Sequence, residues 1–251
     1  MFKISFIPAF KDNYIWLLTS GDRAFVVDPG DAAPVLDRLE AEQLNLAGIL
    51  ITHHHADHQG GIAALLARYP AIVFAPENES ITGSGVALSG GETINVLGQH
   101  VRVMAVPGHT RGHLAYLAPG ALFCGDTLFG AGCGRLFEGT PTQMLASLES
   151  IAALPDETLI YCAHEYTEAN LRFALMVEPG NVALKERIER VAELRQAGEA
   201  SVPSSLADEK ATNPFLRCGE PDVIAAALEH AAVNREKTSI FTAIRAWRNN
   251  F

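Results

Sequence analysis

Residues 52–61 read Thr-His-His-His-Ala-Asp-His-Gln-Gly-Gly, a stretch in which four histidines and one aspartate fall within residues 53–58. Imidazole and carboxylate groups are the ligands that zinc, iron and manganese accept most readily. A solvated polar loop and a tag-like cluster are the alternatives. The aspartate, the apolar run before the stretch and the helical pattern after it argue against both, so the stretch predicts a metal site.

The alternation of side chains within this stretch separates the candidate ligands. The apolar residues 46–51 predict a β-strand that leads into it, and successive side chains of an extended chain point to opposite faces. His53 and His55 are therefore expected on one side of the chain, and His54 is expected on the other.

Asp57 and His58 fall at the turn that follows, directly before a glycine pair and a helical pattern at residues 62–68. At a turn, both side chains can face a position next to the one that His53 and His55 face. One short segment can therefore offer ligands to two metal ions.

Three further candidate ligands each follow an apolar, strand-like run. The runs are residues 101–106, 121–124 and 158–162, and they lead to His109, Asp126 and His164, respectively. A lone histidine is more often a partly buried structural residue, and a Gly-Asp pair usually marks a turn. Functional groups are nevertheless often held at strand ends by a rigid sheet. Because four strand ends lead to the same chemistry here, we group these residues with the histidine stretch.

The remaining histidines receive weaker interpretations. His113 follows His109 by four residues, and it either orients a metal ligand as a hydrogen-bond partner or makes an ordinary structural hydrogen bond. His100 and His230 lie in ordinary polar contexts, so we assign them no role.

Composition excludes several classes of protein. The chain has 251 residues, of which 48% are hydrophobic and 19% charged, and its formal net charge is −10. It can bury a sizeable core, and binding to nucleic acid or to a membrane is not expected. The N-terminus lacks the features of a signal peptide, and no apolar run approaches the about 20 residues of a membrane span. The four cysteines form no Cys-x-x-Cys pair, which predicts reduced thiols in a cytoplasmic protein.

Two regions of different pattern follow each other along the chain. Strand patterns dominate the first two-thirds, at residues 2–6, 14–18, 24–27, 72–75, 93–97, 101–106, 114–117, 121–124 and 158–162. Helical patterns begin at residue 34 and span residues 140–154, 181–197, 222–232 and 239–247. Asp31 and Asn181 are the expected caps of two of these helices. We therefore predict an α/β domain at residues 1–165 and a helical domain at residues 166–251.

Several motifs together resemble those of a known family. Residues 52–58 resemble the metal signature of the metallo-β-lactamase superfamily, whose fold is a four-layer αββα sandwich. The chain is more narrowly similar to the glyoxalase II, or hydroxyacylglutathione hydrolase, family at residues 8–10, 12–14, 107–113, 125–129, 132–135, 164–167 and 213–215. The similarity covers nearly the whole chain, and it implies an α/β sandwich followed by a C-terminal helical domain.

The resemblance implies two divalent metal ions per chain, with zinc expected and iron or manganese as alternatives. It assigns one ion to His53, His55 and His109, the other to Asp57, His58 and His164, and a bridging role to Asp126. Asp57 and Asp126 are then the expected catalytic carboxylates, since Asp57 can also accept a proton from the bridging water.

The reaction that the resemblance implies is hydrolysis of S-(2-hydroxyacyl)glutathione, for example S-D-lactoylglutathione, to glutathione and a 2-hydroxy acid such as D-lactate. This is the second step of methylglyoxal detoxification. Hydroxide formed at the two metal ions is the expected nucleophile, because two dications lower the pKa of a shared water to near neutrality. The family precedent also implies a monomer.

An anionic substrate of an acidic protein needs local cations. Residues 237–251 contain Lys237, Arg245 and Arg248 and no carboxylate side chain, a pattern that alone favours a solvated helix face near a C-terminus. The resemblance instead assigns Arg245 and Arg248 to the glutathione carboxylates.

Further substrate contacts are also implied by the resemblance. It assigns Arg135 and Tyr166 to the glutathione backbone. Phe137 stands where some relatives have a contacting tyrosine, so one hydroxyl contact worth about 1 kcal/mol is absent.

Three other functions compete with this interpretation. A mononuclear iron persulfide dioxygenase of the same superfamily would not need His58 and His164 as ligands, and it would contain one iron rather than two metals. A β-lactam hydrolase is disfavoured because no export signal is present. A non-catalytic module in which the ions only stabilise the fold would show no thioester turnover.

Overall fold

The computed structural model describes residues 2–83 and 85–251, which fall into two compact units. The first unit comprises Met1–Ala105 and Arg111–Gly125, and the second comprises Val106–Thr110 and Asp126–Phe251. The short segment around His109 thus groups with the C-terminal half of the chain.

The first unit begins with a mixed six-stranded sheet. Its strands, in spatial as well as chain order, are β1 (Lys3–Ala9), β2 (Asn13–Ser20), β3 (Arg23–Val27), β4 (Asn45–Leu50), β5 (Ile72–Pro76) and β6 (Val86–Leu88). The first three strands pair antiparallel, and β3 to β6 pair parallel. The connections carry the helices α1 (Ala33–Ala41), α2 (Ala56–Gln59) and α3 (Ile62–Leu66).

A hydrophobic core lies between this sheet and its helices. Val35 and Leu39 of α1 and Ile62 and Leu65 of α3 pack with buried strand residues, among them Ile15, Val26, Ile49 and Val73. The core fixes the carboxyl ends of β3 and β4, where the histidine stretch begins.

A second, antiparallel sheet completes the first unit. The strands of this sheet that belong to the first unit are β7 (Thr93–Val96), β8 (Gln99–Ala105), β9 (Leu114–Ala118) and β10 (Ala121–Gly125), paired in chain order. The hydroxyl of Tyr116 donates to the carbonyl of Ile51 at 2.7 Å, and Leu114 N donates to Thr52 O at 2.9 Å. Strand β9 is therefore tied directly to the chain that leaves β4.

The second unit is mainly helical. Its elements are β11 (Leu128–Phe129), β12 (Gly132–Cys133), α4 (Pro141–Ala152), β13 (Leu159–Cys162), α5 (Thr167–Val177), α6 (Val182–Gln196), β14 (Ser204–Ser205), α7 (Leu206–Thr212), α8 (Pro221–Glu229) and α9 (Lys237–Asn249). Strands β11 and β12 form a short hairpin, and β13 pairs antiparallel with β14. A core cluster joins Ala131 of the hairpin to Leu171, Ala174, Leu184 and Val191 of α5 and α6.

Most of the predicted elements are confirmed. The strands predicted at residues 14–18 and 24–27 form a hairpin that pairs Ser20 with Arg23, and the helices predicted at residues 140–154, 181–197, 222–232 and 239–247 are present as α4, α6, α8 and α9. Asn181 caps α6 by accepting from Leu184 N at 3.1 Å. Asp31 accepts from Ala33 N at 3.0 Å, but helix α1 begins one residue earlier than the Pro34 pattern indicated, so its N-cap residue is Ala32.

Several elements were not predicted. Helix α5 buries residues at helical spacing, including Leu171, Ala174 and Val177, a signal that the sequence carries and that the prediction missed. Strands β11, β12 and β14 contain two residues each, too few to show an alternating pattern. Among the described residues, no helix combines the length and hydrophobicity that crossing a membrane requires.

Helix α4 offers a test of the local structure. Thr140 Oγ1 accepts from Gln143 N at 3.2 Å, and Gln143 Oε1 accepts from Thr140 N at 2.9 Å, which forms a capping box. We expect Thr140→Ala to lower the free energy of unfolding by about 1 kcal/mol, measured by urea denaturation. Thr142→Ala, an exposed residue of the same helix, is the matched control. Equal losses from the two substitutions would contradict the capping role.

Candidate functional site

The histidine stretch is anchored at its first residue. Thr52 is fully buried, its backbone N donates to Asp28 Oδ1 at 2.8 Å, and its hydroxyl donates to Asp28 Oδ2 at 2.7 Å. With Leu114 N bound to Thr52 O, the chain leaving β4 is held at both its donor and its acceptor groups. The histidines that follow therefore start from a fixed backbone position.

His53 and His55 form a pair of nitrogen ligands. His53 Nδ1 lies 3.1 Å from Thr52 Oγ1. Because the hydroxyl hydrogen of Thr52 goes to Asp28, this oxygen accepts, and Nδ1 of His53 carries the hydrogen. The lone pair of His53 is then on Nε2, which lies 3.0 Å from His55 Nδ1. Two ring nitrogens at this separation can bind the same ion.

Asp57 and His58 form a second pair. His58 is fully buried, and its Nδ1 lies 3.1 Å from Asp28 Oδ2. An ionised carboxylate only accepts, so Nδ1 of His58 carries the hydrogen and Nε2 carries the lone pair. That Nε2 lies 3.5 Å from Asp57 Oδ2. The rings of His53 and His58 are 4.0 Å apart, so the two pairs are neighbours, as the prediction of two positions requires.

Asp28 is a functional residue that the sequence analysis missed. It is buried with a positive φ of 52° and accepts hydrogen bonds from both Thr52 donors and from His58, so it sets the orientation of two candidate ligands. Asp28 directly follows a strand that was predicted, at residues 24–27. The strand-end signal used for Asp126 could therefore have found it.

His54 points to different partners. Its backbone N and its Nδ1 lie 2.6 Å and 3.0 Å from Glu79 Oε2. The other oxygen of Glu79 accepts from Gly112 N at 3.0 Å. The structure thus places His54 on a carboxylate that also holds a neighbouring loop. His113 is buried and stacks on the ring of His53, with centroids 4.7 Å apart.

In the second unit, Asp126 lies between two histidines. Its Oδ2 is 3.4 Å from His109 Nε2, and its Oδ1 is 3.4 Å from His164 Nε2. All three residues are buried. His109 Nδ1 lies 2.7 Å from the carbonyl of Arg135, which can only accept, so the lone pair of His109 faces the carboxylate oxygen.

This arrangement suits a metal ion at each carboxylate oxygen. A lone pair and a carboxylate oxygen that face each other at 3.4 Å repel unless a cation lies between them. The distance is also longer than the about 2.7–3.2 Å of an N–H···O hydrogen bond. Imidazole nitrogens and carboxylate oxygens without thiolates are a donor set that zinc, iron and manganese accept. The residues present therefore fit a metal centre.

The loop that carries His109 is held by α4 and the segment after the hairpin. Ser147 Oγ donates to Pro107 O at 2.8 Å, and Phe137 N donates to His109 O at 3.2 Å. A Cβ at Gly134 would lie 1.9 Å from the carbonyl oxygen of Asp126, so only glycine fits there. These contacts fix His109 relative to Asp126.

A cavity of about 210 Å³ lies beside these residues in the second unit. It is lined by Phe129, Cys133, Arg135, Tyr166, Asn170, Arg245, Arg248 and Asn249. The four residues for which substrate contacts were predicted thus line a single cavity. Tyr166 stacks on His164, with ring centroids 4.7 Å apart, which connects the cavity to a candidate metal ligand.

The two arginines make the cavity a place for an anion. Arg245 is buried, donates from Nη1 to Cys133 O at 2.7 Å and lies 5.1 Å over the ring of Phe215. Arg248 donates from Nη2 to Asn170 Oδ1 at 3.3 Å. Burial, and then the neighbouring Arg245, lower the pKa of Arg248 below its ordinary value. The buried Nε atoms of both arginines have no hydrogen-bond partner within residues 2–83 and 85–251.

Arg135 and Phe137 are both exposed to solvent. The guanidinium of Arg135 is 5.6 Å from the ring of Phe137, and Phe137 is 60% exposed. The rings of Phe137 and His109 pack edge to face, with centroids 5.2 Å apart. Phenylalanine at this position therefore offers a ring and no hydroxyl.

Two family profiles together span the chain from residue 10. The profile of the Metallo-beta-lactamase superfamily matches residues 10–164, and that of the Hydroxyacylglutathione hydrolase C-terminus matches residues 165–251. The metal-ligand candidates fall in the first match, whereas Arg245 and Arg248 fall in the second.

Full-length relatives belong to the same family as the matching profiles. The chain is 71% identical to the hydroxyacylglutathione hydrolase of Dechloromonas aromatica and 53% identical to that of Aeromonas hydrophila, with 100% of both chains covered in each case. Among solved structures, ETHE1 from Myxococcus xanthus gives a TM-score of 0.67 at 26% identity, covering 99% of this chain and 98% of its own. The BLEG-1 B3 metallo-β-lactamase gives 0.63 at 24% identity, covering 86% and 99%, a likeness of fold alone.

Asp28 provides a test of how the ligands are oriented. We expect Asp28→Asn to weaken metal binding by about ten- to a hundredfold. The carboxylate now accepts hydrogen bonds from Thr52 and His58, and the NH₂ group of asparagine cannot accept them. Chelator competition with elemental analysis measures this. His54→Ala, which removes the imidazole paired with Glu79, should leave metal binding largely intact and is the control. Loss of a metal from His54→Ala, or wild-type affinity in Asp28→Asn, would contradict the assignment.

Proposed function

Because the chain belongs to the hydroxyacylglutathione hydrolase family of the metallo-β-lactamase superfamily, we propose that it hydrolyses S-(2-hydroxyacyl)glutathione to glutathione and a 2-hydroxy acid. The chain is thus an enzyme that acts on a thioester, with the metallo-β-lactamase fold followed by a helical C-terminal region. The preferred substrate we propose is S-D-lactoylglutathione, which places the enzyme in the second step of methylglyoxal detoxification.

We further propose two divalent metal ions per chain, with zinc as the metal. His53, His55 and His109 would bind one ion, Asp57, His58 and His164 the other, and Asp126 both. The observation that carries this proposal is the position of Asp126, whose two oxygens each lie 3.4 Å from a different imidazole. Bound dications would supply Lewis acidity, which polarises a carbonyl and lowers the pKa of water from about 15.7 to about 7.

The protein itself contributes the orientation of the ligands and a proton acceptor. Asp28 and the Arg135 carbonyl hold His58 and His109 in the tautomer whose Nε2 can bind a metal. Asn13 Nδ2 donates to Asp57 Oδ2 at 3.0 Å. The Asp57 side chain is 41% exposed, so solvent can reach it. We assign Asp57 the role of accepting the proton of the attacking water.

Substrate binding is assigned to the arginine-lined cavity. Arg245 and Arg248 would bind the carboxylates of glutathione, and Arg135 and Tyr166 its peptide backbone. Support comes from the Nε atoms of both arginines, which are buried and have no hydrogen-bond partner in the described parts of the chain. In a protein of net charge −10, such a local pair of cations is what an anionic substrate requires.

The proposed domains separate metal binding from substrate binding. We propose that residues 1–165 form the metal-binding catalytic domain and residues 166–251 the substrate-binding domain. The two family profiles meet between residues 164 and 165, which supports this boundary. The compact units differ from it, because residues 106–110 and 126–165 group with the C-terminal region. We also propose a cytoplasmic monomer that binds neither nucleic acid nor a membrane, consistent with four buried free cysteines.

A mononuclear iron persulfide dioxygenase of the same superfamily is the alternative. Such an enzyme needs one iron and none of the C-terminal arginines. The full-length identity to hydroxyacylglutathione hydrolases and the match to their C-terminal region favour the thioesterase. Elemental analysis together with an S-D-lactoylglutathione assay on the same sample separates the two functions.

Asp126→Ala tests the bridging role. Because this carboxylate would bind both ions, we expect the substitution to abolish thioester hydrolysis and to lower metal occupancy at both positions. Inductively coupled plasma mass spectrometry and the hydrolysis assay measure the two effects. Two retained metals with near-normal turnover would refute the role.

Arg245→Ala tests the substrate cavity. We expect KM for S-D-lactoylglutathione to rise about ten- to a hundredfold, the effect of losing one charged hydrogen-bond donor, while kcat changes little. Arg235→Ala, an exposed arginine outside the cavity, is the control. A fall in kcat at unchanged KM would show that Arg245 does not bind substrate.

A further inference from the structure

A buried carboxylate in the second unit has no place in the function described so far. Glu209 of α7 is fully buried and forms an ion pair with Arg187 of α6, which is 2% exposed. Its Oε1 also accepts from Ser204 Oγ at 2.7 Å. Burying two charges is costly even when they are paired, so the contacts of the second Glu209 oxygen, Oε2, also need an explanation.

That other oxygen binds the β11–β12 hairpin. Glu209 Oε2 accepts from Ala131 N at 2.9 Å and from Asn213 Nδ2 at 3.0 Å. Asn213 Nδ2 in turn lies 2.9 Å from Gly132 O and 3.3 Å from Phe129 O. Four groups thus donate to the two Glu209 oxygens, from Arg187, Ser204, Ala131 and Asn213.

The hairpin depends on these contacts for its position. Its strands contain two residues each, and Ala131 adopts a left-handed conformation with φ of 54°, which costs a non-glycine residue about 1 kcal/mol. Asn170 Nδ2 adds one more hydrogen bond from outside, to Gly130 O at 3.0 Å. A hairpin this short is not stable by itself, so side chains of other elements must hold it.

The ends of the hairpin form a wall of the arginine-lined cavity. Phe129 and Cys133 line it, and the Cys133 carbonyl is the acceptor of Arg245. The ring of Phe129 contacts that of Tyr166, with centroids 5.3 Å apart. A displaced hairpin would therefore change the positions of Arg245 and Tyr166 together.

We infer that Glu209 and Asn213 are positioning residues that set the affinity of the cavity for the glutathione part of the substrate. Arg187 forms an ion pair with Glu209 in the interior, and Glu209 and Asn213 together hold the backbone of the hairpin. The inference rests on the proposed function, since it assigns the cavity to glutathione.

Asn213→Ala is the informative variant, because it removes the amide that binds Phe129 O and Gly132 O of the hairpin while leaving the Arg187–Glu209 ion pair in place. Asn181→Ala is the matched control. The amide of Asn181 likewise donates to a backbone carbonyl, of Ala211 at 2.9 Å, and accepts from a backbone N, but the contacts lie at α6 and α7 and not at the hairpin. Asn213 also accepts from a backbone N, that of Phe215 at 3.1 Å, so both substitutions remove hydrogen bonds to backbone groups, and only Asn213→Ala also removes a donor to Glu209.

The full-length, metal-loaded chain is titrated calorimetrically with S-methylglutathione, a thioether that cannot be hydrolysed. The KM and kcat for S-D-lactoylglutathione, the metal content and the circular dichroism spectrum are measured on the same samples. For Asn213→Ala we expect Kd and KM to rise about tenfold, with kcat within about threefold of wild type and both metals retained. Asn181→Ala should leave Kd and KM within about twofold of wild type, whatever its effect on stability.

The outcomes distinguish a failure of the proposed function from a failure of the positioning role. If wild type neither binds S-methylglutathione nor hydrolyses the thioester, the proposed function fails. If wild type does both and folded Asn213→Ala keeps its Kd, or loses kcat and metal with KM unchanged, the positioning role is wrong. Should Asn213→Ala not fold, Asn213→Ser carries the same test with an expected increase of about threefold. If neither variant folds, the residue is structural only and the inference is overturned.

Discussion

The architecture of the site depends on one buried carboxylate that faces two imidazoles. Asp126 directs one oxygen to His109 and the other to His164 at equal distances of 3.4 Å. Because the carbonyl of Arg135 fixes the tautomer of His109, lone pairs rather than hydrogens meet at one of these contacts. A pair of cations would turn this repulsion into attraction, and the rest of the proposed chemistry follows from them.

The scaffold contributes rigidity at the ends of its strands. Each candidate ligand outside the histidine stretch follows a strand, and the tautomers of His58 and His109 are set by acceptors from another part of the same unit. Asp28 does this for His58 and, through Thr52, for His53. Metal ligands are commonly oriented in this way. The unit that contains Asp126 also contains the arginine-lined cavity. His164, a proposed metal ligand, stacks on Tyr166, which lines this cavity.

The sequence predicted the parts of the site that follow from local patterns. The alternation at residues 53–55 separated His54 from His53 and His55, and apolar runs placed His109, Asp126 and His164 after strands. It did not predict the supporting contacts. Asp28, Glu79 and the Glu209–Asn213 pair contact the histidine stretch and the hairpin from 24 to 84 positions away. No local pattern encodes which distant backbone group a buried carboxylate will accept from. Two-residue strands such as β11 and β12 are likewise set by tertiary contacts.

Anomalous diffraction from crystals of the zinc-loaded protein tests the central claim most directly. The account predicts two anomalous peaks at the zinc edge, about 3.5–4 Å apart, with a different oxygen of Asp126 about 2.0–2.2 Å from each. A single peak, or two peaks of which only one contacts Asp126, would contradict it.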